Sequence, residues 1–175
     1  MRRTITALLA ALAVLALTAG SALGAVNQKG NLPVADFEGD SVTVSGGDFS
    51  GLGNIPAIAT LTVDGEATYI CTNKGGNAAP GQNPVPAQTG VSDPTPLTTA
   101  KNGRSTVPEI TTAVEEPETP TAQAVGCGGK GSTSWDVTLD ELTATSANLT
   151  ITHDGDVIFC RNYTADGTGT ACPAG

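Results

Sequence analysis

The sequence has little of what chemistry at a site usually needs. In 175 residues it carries one histidine, one tryptophan, two tyrosines and three phenylalanines. A single histidine, His153, cannot build a histidine cage for a metal. So few rings also give a deep apolar ligand cleft little to line it. Cations are scarce too, with 8 Lys and Arg against 17 Asp and Glu. Setting Arg2 and Arg3 aside leaves six basic side chains facing 17 acidic ones, a net charge near −11. That balance repels nucleic acid and anionic membrane surfaces, so neither is an expected partner. After the first 25 residues there is no amphipathic helical stretch and no apolar run long enough to insert in a membrane.

What is present begins with an export signal. Arg2 and Arg3 precede an apolar run from Ile5 to Ala19, followed by the small residues Gly20-Ser-Ala-Leu-Gly-Ala25. This reads as a cleaved secretory signal peptide over 1–25, cut after Gly24 or Ala25. Val26 stands where a lipid anchor would need cysteine. The expected mature protein, 26–175, is long enough for one domain with a real core.

The mature sequence is organised around Ala59-Thr-Leu-Thr-Val-Asp-Gly-Glu-Ala-Thr-Tyr-Ile-Cys71. Its odd positions are apolar and its even positions mostly polar, the pattern of a half-buried strand. Asp64-Gly65 could turn a hairpin, but a turn there would place Val63 against Glu66 and Leu61 against Thr68. One long strand, with Gly65 as a bend or bulge, keeps the faces apart. Related text recurs at Ala147-Asn-Leu-Thr-Ile151 and Asp154-Gly-Asp-Val-Ile-Phe-Cys160. There a turn at Asp154-Gly155 sets Ile151 opposite Ile158 and Leu149 opposite Cys160, so a hairpin is expected. Shorter strands are expected at 41–45, with Val42 and Val44 inward, at 95–100, at 106–114 and at 135–140. Many short strands with Gly and Pro punctuation indicate an all-β chain, read as a single antiparallel β-sandwich of immunoglobulin-like architecture.

Two stretches read as loops. Residues 73–93 are rich in Gly, Asn, Pro and Gln and have the composition of a long surface loop, functional or mobile. Asn73, Lys74, Asn77, Gln82 and Asn83 are its candidate recognition residues. Residues 115–126 form an acidic, proline-bearing loop. The four cysteines of an exported chain imply disulfides. Of three pairings, Cys71–Cys127 is favoured because it would staple the mouth of the long excursion, and Cys160–Cys172 because it would pin the tail to the hairpin.

No catalytic, cofactor or metal motif is complete in the sequence. Gly39-Asp-Ser-Val42 resembles the nucleophile block of GDSL-type hydrolases, but Thr150 stands where those enzymes need an Asp three places before the histidine, here His153. His153 beside Asp154 reads as an exposed turn residue rather than a proton shuttle. Asp36, Glu38 and Asp40, like Asp154 and Asp156, lack the full ligand string of a calcium loop. Gly126-Cys-Gly-Gly-Lys-Gly131 lacks the spacing of a phosphate loop. Asn148-Leu-Thr150 and Asn162-Tyr-Thr164 are glycosylation sequons lying in strand text. Gly65-Glu-Ala-Thr-Tyr-Ile-Cys71 resembles the Tyr-x-Cys strand of immunoglobulin domains, but no earlier mature cysteine exists to partner Cys71 and Trp135 follows it.

The string Cys71-Thr-Asn-Lys-Gly-Gly-Asn-Ala-Ala-Pro-Gly-Gln-Asn-Pro84, a cysteine shortly before Trp135, and Thr143-Ala-Thr-Ser-Ala-Asn-Leu-Thr-Ile151 are similar to small secreted proteins of high-GC Gram-positive bacteria, streptomycetes among them. That resemblance implies an extracellular, β-rich protein and brings no activity and no site residues. The expectation is a non-enzymatic, cofactor-free structural or binding protein, secreted or held at the cell envelope. The alternatives are a small-molecule carrier, like the acidic apoproteins that some actinomycetes secrete around antibiotics, and a secreted protease inhibitor.

Overall fold

The computed structural model describes residues 27–128 and 134–173; the signal peptide expected over 1–25 lies outside them. Thirteen strands follow one another with no helix among the described residues. They are β1 (Asn27–Gln28), β2 (Pro33–Glu38), β3 (Ser41–Ser50), β4 (Ile58–Thr72), β5 (Ala78–Pro80), β6 (Val85–Pro86), β7 (Gly90–Val91), β8 (Thr95–Pro96), β9 (Thr98–Thr99), β10 (Arg104–Ala113), β11 (Asp136–His153), β12 (Asp156–Thr164) and β13 (Gly169–Ala171). They form two antiparallel sheets. In the first, β1 and β2 share one edge of β3, β10 lies on its other edge, and β9 pairs with β10. The second runs β13-β12-β11-β4, and the fragments β5, β6, β7 and β8 line the free edge of β4 in turn.

The pairing of β4 with β11 sets the shape. Ala59, Leu61, Val63, Gly65, Ala67, Tyr69 and Cys71 all point inward and are all buried. Their partners on β11 are Ile151, Leu149, Ala147, Ala144, Leu142, Leu139 and Val137. The first set steps by two throughout. The second must insert a residue twice, and the register shifts between Leu139 and Glu141 and between Ala144 and Ser146. Asp140 and Thr145 are thus the extra residues of two bulges. Bulges raise local twist, and two on one strand curl this sheet into a half-barrel. Gly65 lies opposite the second bulge, where a side chain would run into the carbonyl oxygen of Thr143.

Residues 78–93, expected as loop, and the start of the strand expected at 95–100 together form a broken edge strand. Gly81, Ala87, Ser92 and Leu97 donate their N–H groups to the carbonyls of Tyr69, Gly65, Leu61 and Ala57. The acceptors step by four residues and the donors by five or six. Pro80, Pro86 and Pro96 occupy paired positions and Pro84 and Pro94 lie between. Proline has no N–H for a ladder, so pairing recurs only in short contacts. Composition signalled the breaks but not the anchoring, which depends on β4 offering a free edge.

Other expectations are adjusted in the same physical terms. The 41–45 strand continues to Ser50 because Gly46 and Gly47, with φ of 83° and 77°, form a bulge that moves the inward set from Val42 and Val44 to Phe49. The hairpin turn is at Asp154-Gly155, both with positive φ. A bulge at Ile158 slips the register, so Ile151 faces Phe159 and Leu149 faces Arg161, with Cys160 on the outer side. The tail, read as loop, contributes β13.

Val42, Val44, Phe49, Val107 and Ile110 of the first sheet pack on Ala59, Leu61, Val63, Leu149 and Ile151 of the second. Phe49 meets Phe159 edge to face at 5.3 Å. Two seams close this core. On one, Gln88 and Glu115 exchange backbone hydrogen bonds and Gly90 lies against the carbonyl of Ala113. On the other, the Tyr163 hydroxyl donates to the carbonyl of Pro33 at 2.8 Å. Burial pushes the Tyr163 phenol up to about 12, against a smaller lowering by Arg161.

Two outcomes test these seams. Gly90→Ala places a methyl on the Ala113 backbone and is expected to cost about 3 kcal/mol or more by urea unfolding, because backbone cannot swing aside as a side chain can. The raised Tyr163 pKa contributes stability that is complete below pH 10 and is lost as pH rises towards 12. Between pH 9 and 11 the wild type should therefore lose about 1 kcal/mol more than Tyr163→Phe, read from urea midpoints.

Candidate functional site

The second sheet outruns the first. Beyond Gly65 the inward face of β4 and β11 carries Ala67, Tyr69, Cys71, Leu142, Leu139 and Val137, and no strand of the first sheet covers it. The cover is the acidic loop, whose Ala122 and Val125 pack on Tyr69 and Cys71 in a second small core. Cys71 and Cys127 are bonded beneath this flap. On loop-closure grounds a bond spanning 56 residues is worth about 4 kcal/mol in the chain-entropy account. Val137, Leu139, Leu142, Val85 and Trp135 complete this core and stay half-exposed. The overhang is therefore a partly open apolar face.

The five recognition-loop candidates all lie at this end, in two groups with different work. Asn73 opens the tight turn after β4, its Oδ1 accepting from the N–H groups of Gly75 at 2.9 Å and Asn77 at 3.0 Å. Lys74 and Asn77 are exposed at the tip of that turn. Gln82 and Asn83 hold the flap, both donating backbone N–H to the Val125 carbonyl. The Asn83 amide also reaches the Ala124 carbonyl at 3.4 Å. Of the five side chains, Lys74, Asn77 and Gln82 point to solvent without a hydrogen bond to a described residue, so they are the ones able to meet a partner.

Tyr69 was missed as a site residue. Reading it as the apolar row's aromatic member hid its hydroxyl, which is buried with no hydrogen-bond partner among the described residues. Burial raises its pKa, and the negative charge of Glu116 in the flap raises it further. A buried phenol next to a carboxylate stays protonated and is a donor seeking an acceptor. No sequence pattern marks such an orphan, because its environment is supplied by a flap that is distant in the chain.

The other chemistry-bearing residues are dispersed. Ser41, the GDSL-like serine, donates to the Glu38 carbonyl, and the His153 ring bonds the Leu52 carbonyl at 2.9 Å. His153 is half-buried rather than an exposed turn residue. No group of three metal-ligating side chains is present among the described residues. Lys130 of the phosphate-loop lookalike lies outside them. The sequon residues Asn148 and Asn162 face each other across β11 and β12, with the Asn148 amide donating to Asn162 Oδ1 at 2.7 Å.

Removing the orphan hydroxyl tests its environment. Tyr69→Phe relieves an unmet desolvation cost and should raise stability by about 1 kcal/mol in the isolated protein, seen as a higher urea midpoint at unchanged slope. Compared with known proteins, the chain matches no protein-family model, no curated protein and no solved structure.

Proposed function

We propose that the chain is an exported, non-enzymatic binding protein that works outside the cytoplasm, at or near the cell envelope, through the flap end of the overhang. The observation that carries this reading is the flap bonded over a partly open apolar face. A small module whose core is closed by a cystine is suited to oxidising compartments, where such bonds persist. The amino-terminal signal pattern and the likeness to small secreted proteins of high-GC Gram-positive bacteria point the same way. Two antiparallel sheets on a shared core support the sandwich reading, and the immunoglobulin-like label rests on that layering alone.

The small-molecule carrier is the second reading, and Tyr69 is the observation that favours it. A neutral apolar molecule with one hydrogen-bond acceptor would satisfy the phenol and cover Leu139 and Val137, while the nearby Glu116 would repel an anion. Native mass spectrometry of the protein recovered from the medium of the producing cells separates the readings. The envelope reading expects the mature chain, oxidised at all four cysteines and free of a bound metabolite. A stoichiometric apolar adduct that is lost in Tyr69→Phe would replace it with the carrier. Reduced protein found only inside the cells would overturn both.

A further inference from the structure

The two disulfides sit in opposite surroundings. Cys71 and Cys127 are 0% and 6% exposed, beneath the flap. Cys160 and Cys172 are only partly buried, on the outer face of the second sheet, between β12 and the edge strand β13. They are directly opposed in register, one pair beyond Arg161 and Ala171, and Cys172 donates its N–H to the Cys160 carbonyl. Next to them, on the outer face of β11, stands a short chain of donors. The Thr150 hydroxyl donates to Asn148 Oδ1 at 2.9 Å. The Asn148 Nδ2 group lies 3.3 Å from both sulfurs, with its other hydrogen directed to Asn162. The Thr150 hydroxyl itself is 3.8 Å from the Cys160 sulfur.

We propose that Cys160–Cys172 is a thiol-exchange site for small extracellular thiols. A hydrogen bond to a sulfur favours its thiolate form, and a solvent-accessible disulfide with a stabilised leaving thiolate exchanges more readily than a buried one. The Thr150 hydroxyl, with its one hydrogen on Asn148 Oδ1, orients the amide that serves both sulfurs at 3.3 Å, and Cys172, beside the edge strand β13, is the sulfur open to attack, so Cys160 is the leaving group. The attacking thiolate forms a bond to Cys172 Sγ from the open side of the edge strand. The Cys160–Cys172 bond breaks, and its electron pair leaves on Cys160 as a thiolate held by Asn148. No proton is transferred. The product is a mixed disulfide at Cys172. A second small thiolate, attacking the small-thiol sulfur of that adduct, yields the small disulfide and a protein reduced by two electrons. Either product unfastens β13, which otherwise rests on three residue pairs with β12. The chemistry stands whether or not the envelope reading holds.

Incubation of the oxidised protein with glutathione at mildly alkaline pH, acid quenching, alkylation and peptide mapping by mass spectrometry tests this. The expected result is glutathione on Cys172, an alkylated thiol on Cys160, and an intact Cys71–Cys127. Equal opening of both disulfides, or an adduct carried mainly by Cys160, would overturn it. Asn148→Leu and Thr150→Val should each slow exchange about three- to tenfold, the scale of a leaving-thiol pKa shifted by one to two units. The oxidised variants should keep the wild-type thermal midpoint within a few degrees, so that a slower rate reports chemistry rather than lost structure. Unchanged rates in both variants would remove the donors from the account and end the proposal.

Discussion

A pleated strand shows the same face only at every second residue, and this parity constraint governs the whole molecule. β4 obeys it through seven inward positions without interruption, and β11 can match those seven only by discarding a residue twice. Each discarded residue, Asp140 or Thr145, keeps apolar side chains inside at the expense of a straight strand. The half-barrel is the geometric residue of that compromise. The free edge of β4 meets the same demand differently, through a partner that advances five or six residues for every four.

Because β4 and β11 are longer than any strand opposite them, the molecule has two cores of unequal kind. The larger is closed by sheet on sheet, with phenylalanines meeting edge to face and a tyrosine hydroxyl fastening the rim. The smaller is closed by a stretch with no strand of its own. One alanine and one valine pack there over Tyr69, and two neighbouring backbone donors converge on the Val125 carbonyl. A covalent bond is what such a cover needs, since so little apolar surface cannot hold it by burial alone.

Much of this was legible in the sequence, for identifiable reasons. The inward row ending at Cys71 was visible because alternation over thirteen residues leaves only one consistent reading. The turn at Asp154-Gly155 was visible because two residues with positive φ need those side chains. The register after that turn was not, since Ile158 is apolar on either side of a slip and only packing against Phe49 chooses Phe159. Nor was the unity of β11, whose inward positions change parity at two residues of ordinary strand character. At the overhang, Asn83 and Gln82 looked like recognition residues because exposed amides in a Gly/Pro stretch commonly are. Their work against the flap depends on contacts some forty residues away.

The proline-studded margin beside β4 has a bearing on self-association. Lateral growth into fibrils needs an uninterrupted row of main-chain donors and acceptors at a sheet's rim. Along this rim five prolines, at 80, 84, 86, 94 and 96, remove donors at irregular intervals, and the stretched stepping throws the remaining groups out of phase with any incoming chain. The opposite rim ends in the three-residue β13, too short to seed a stack. A protein built this way can be concentrated without its second sheet offering a template for polymer growth.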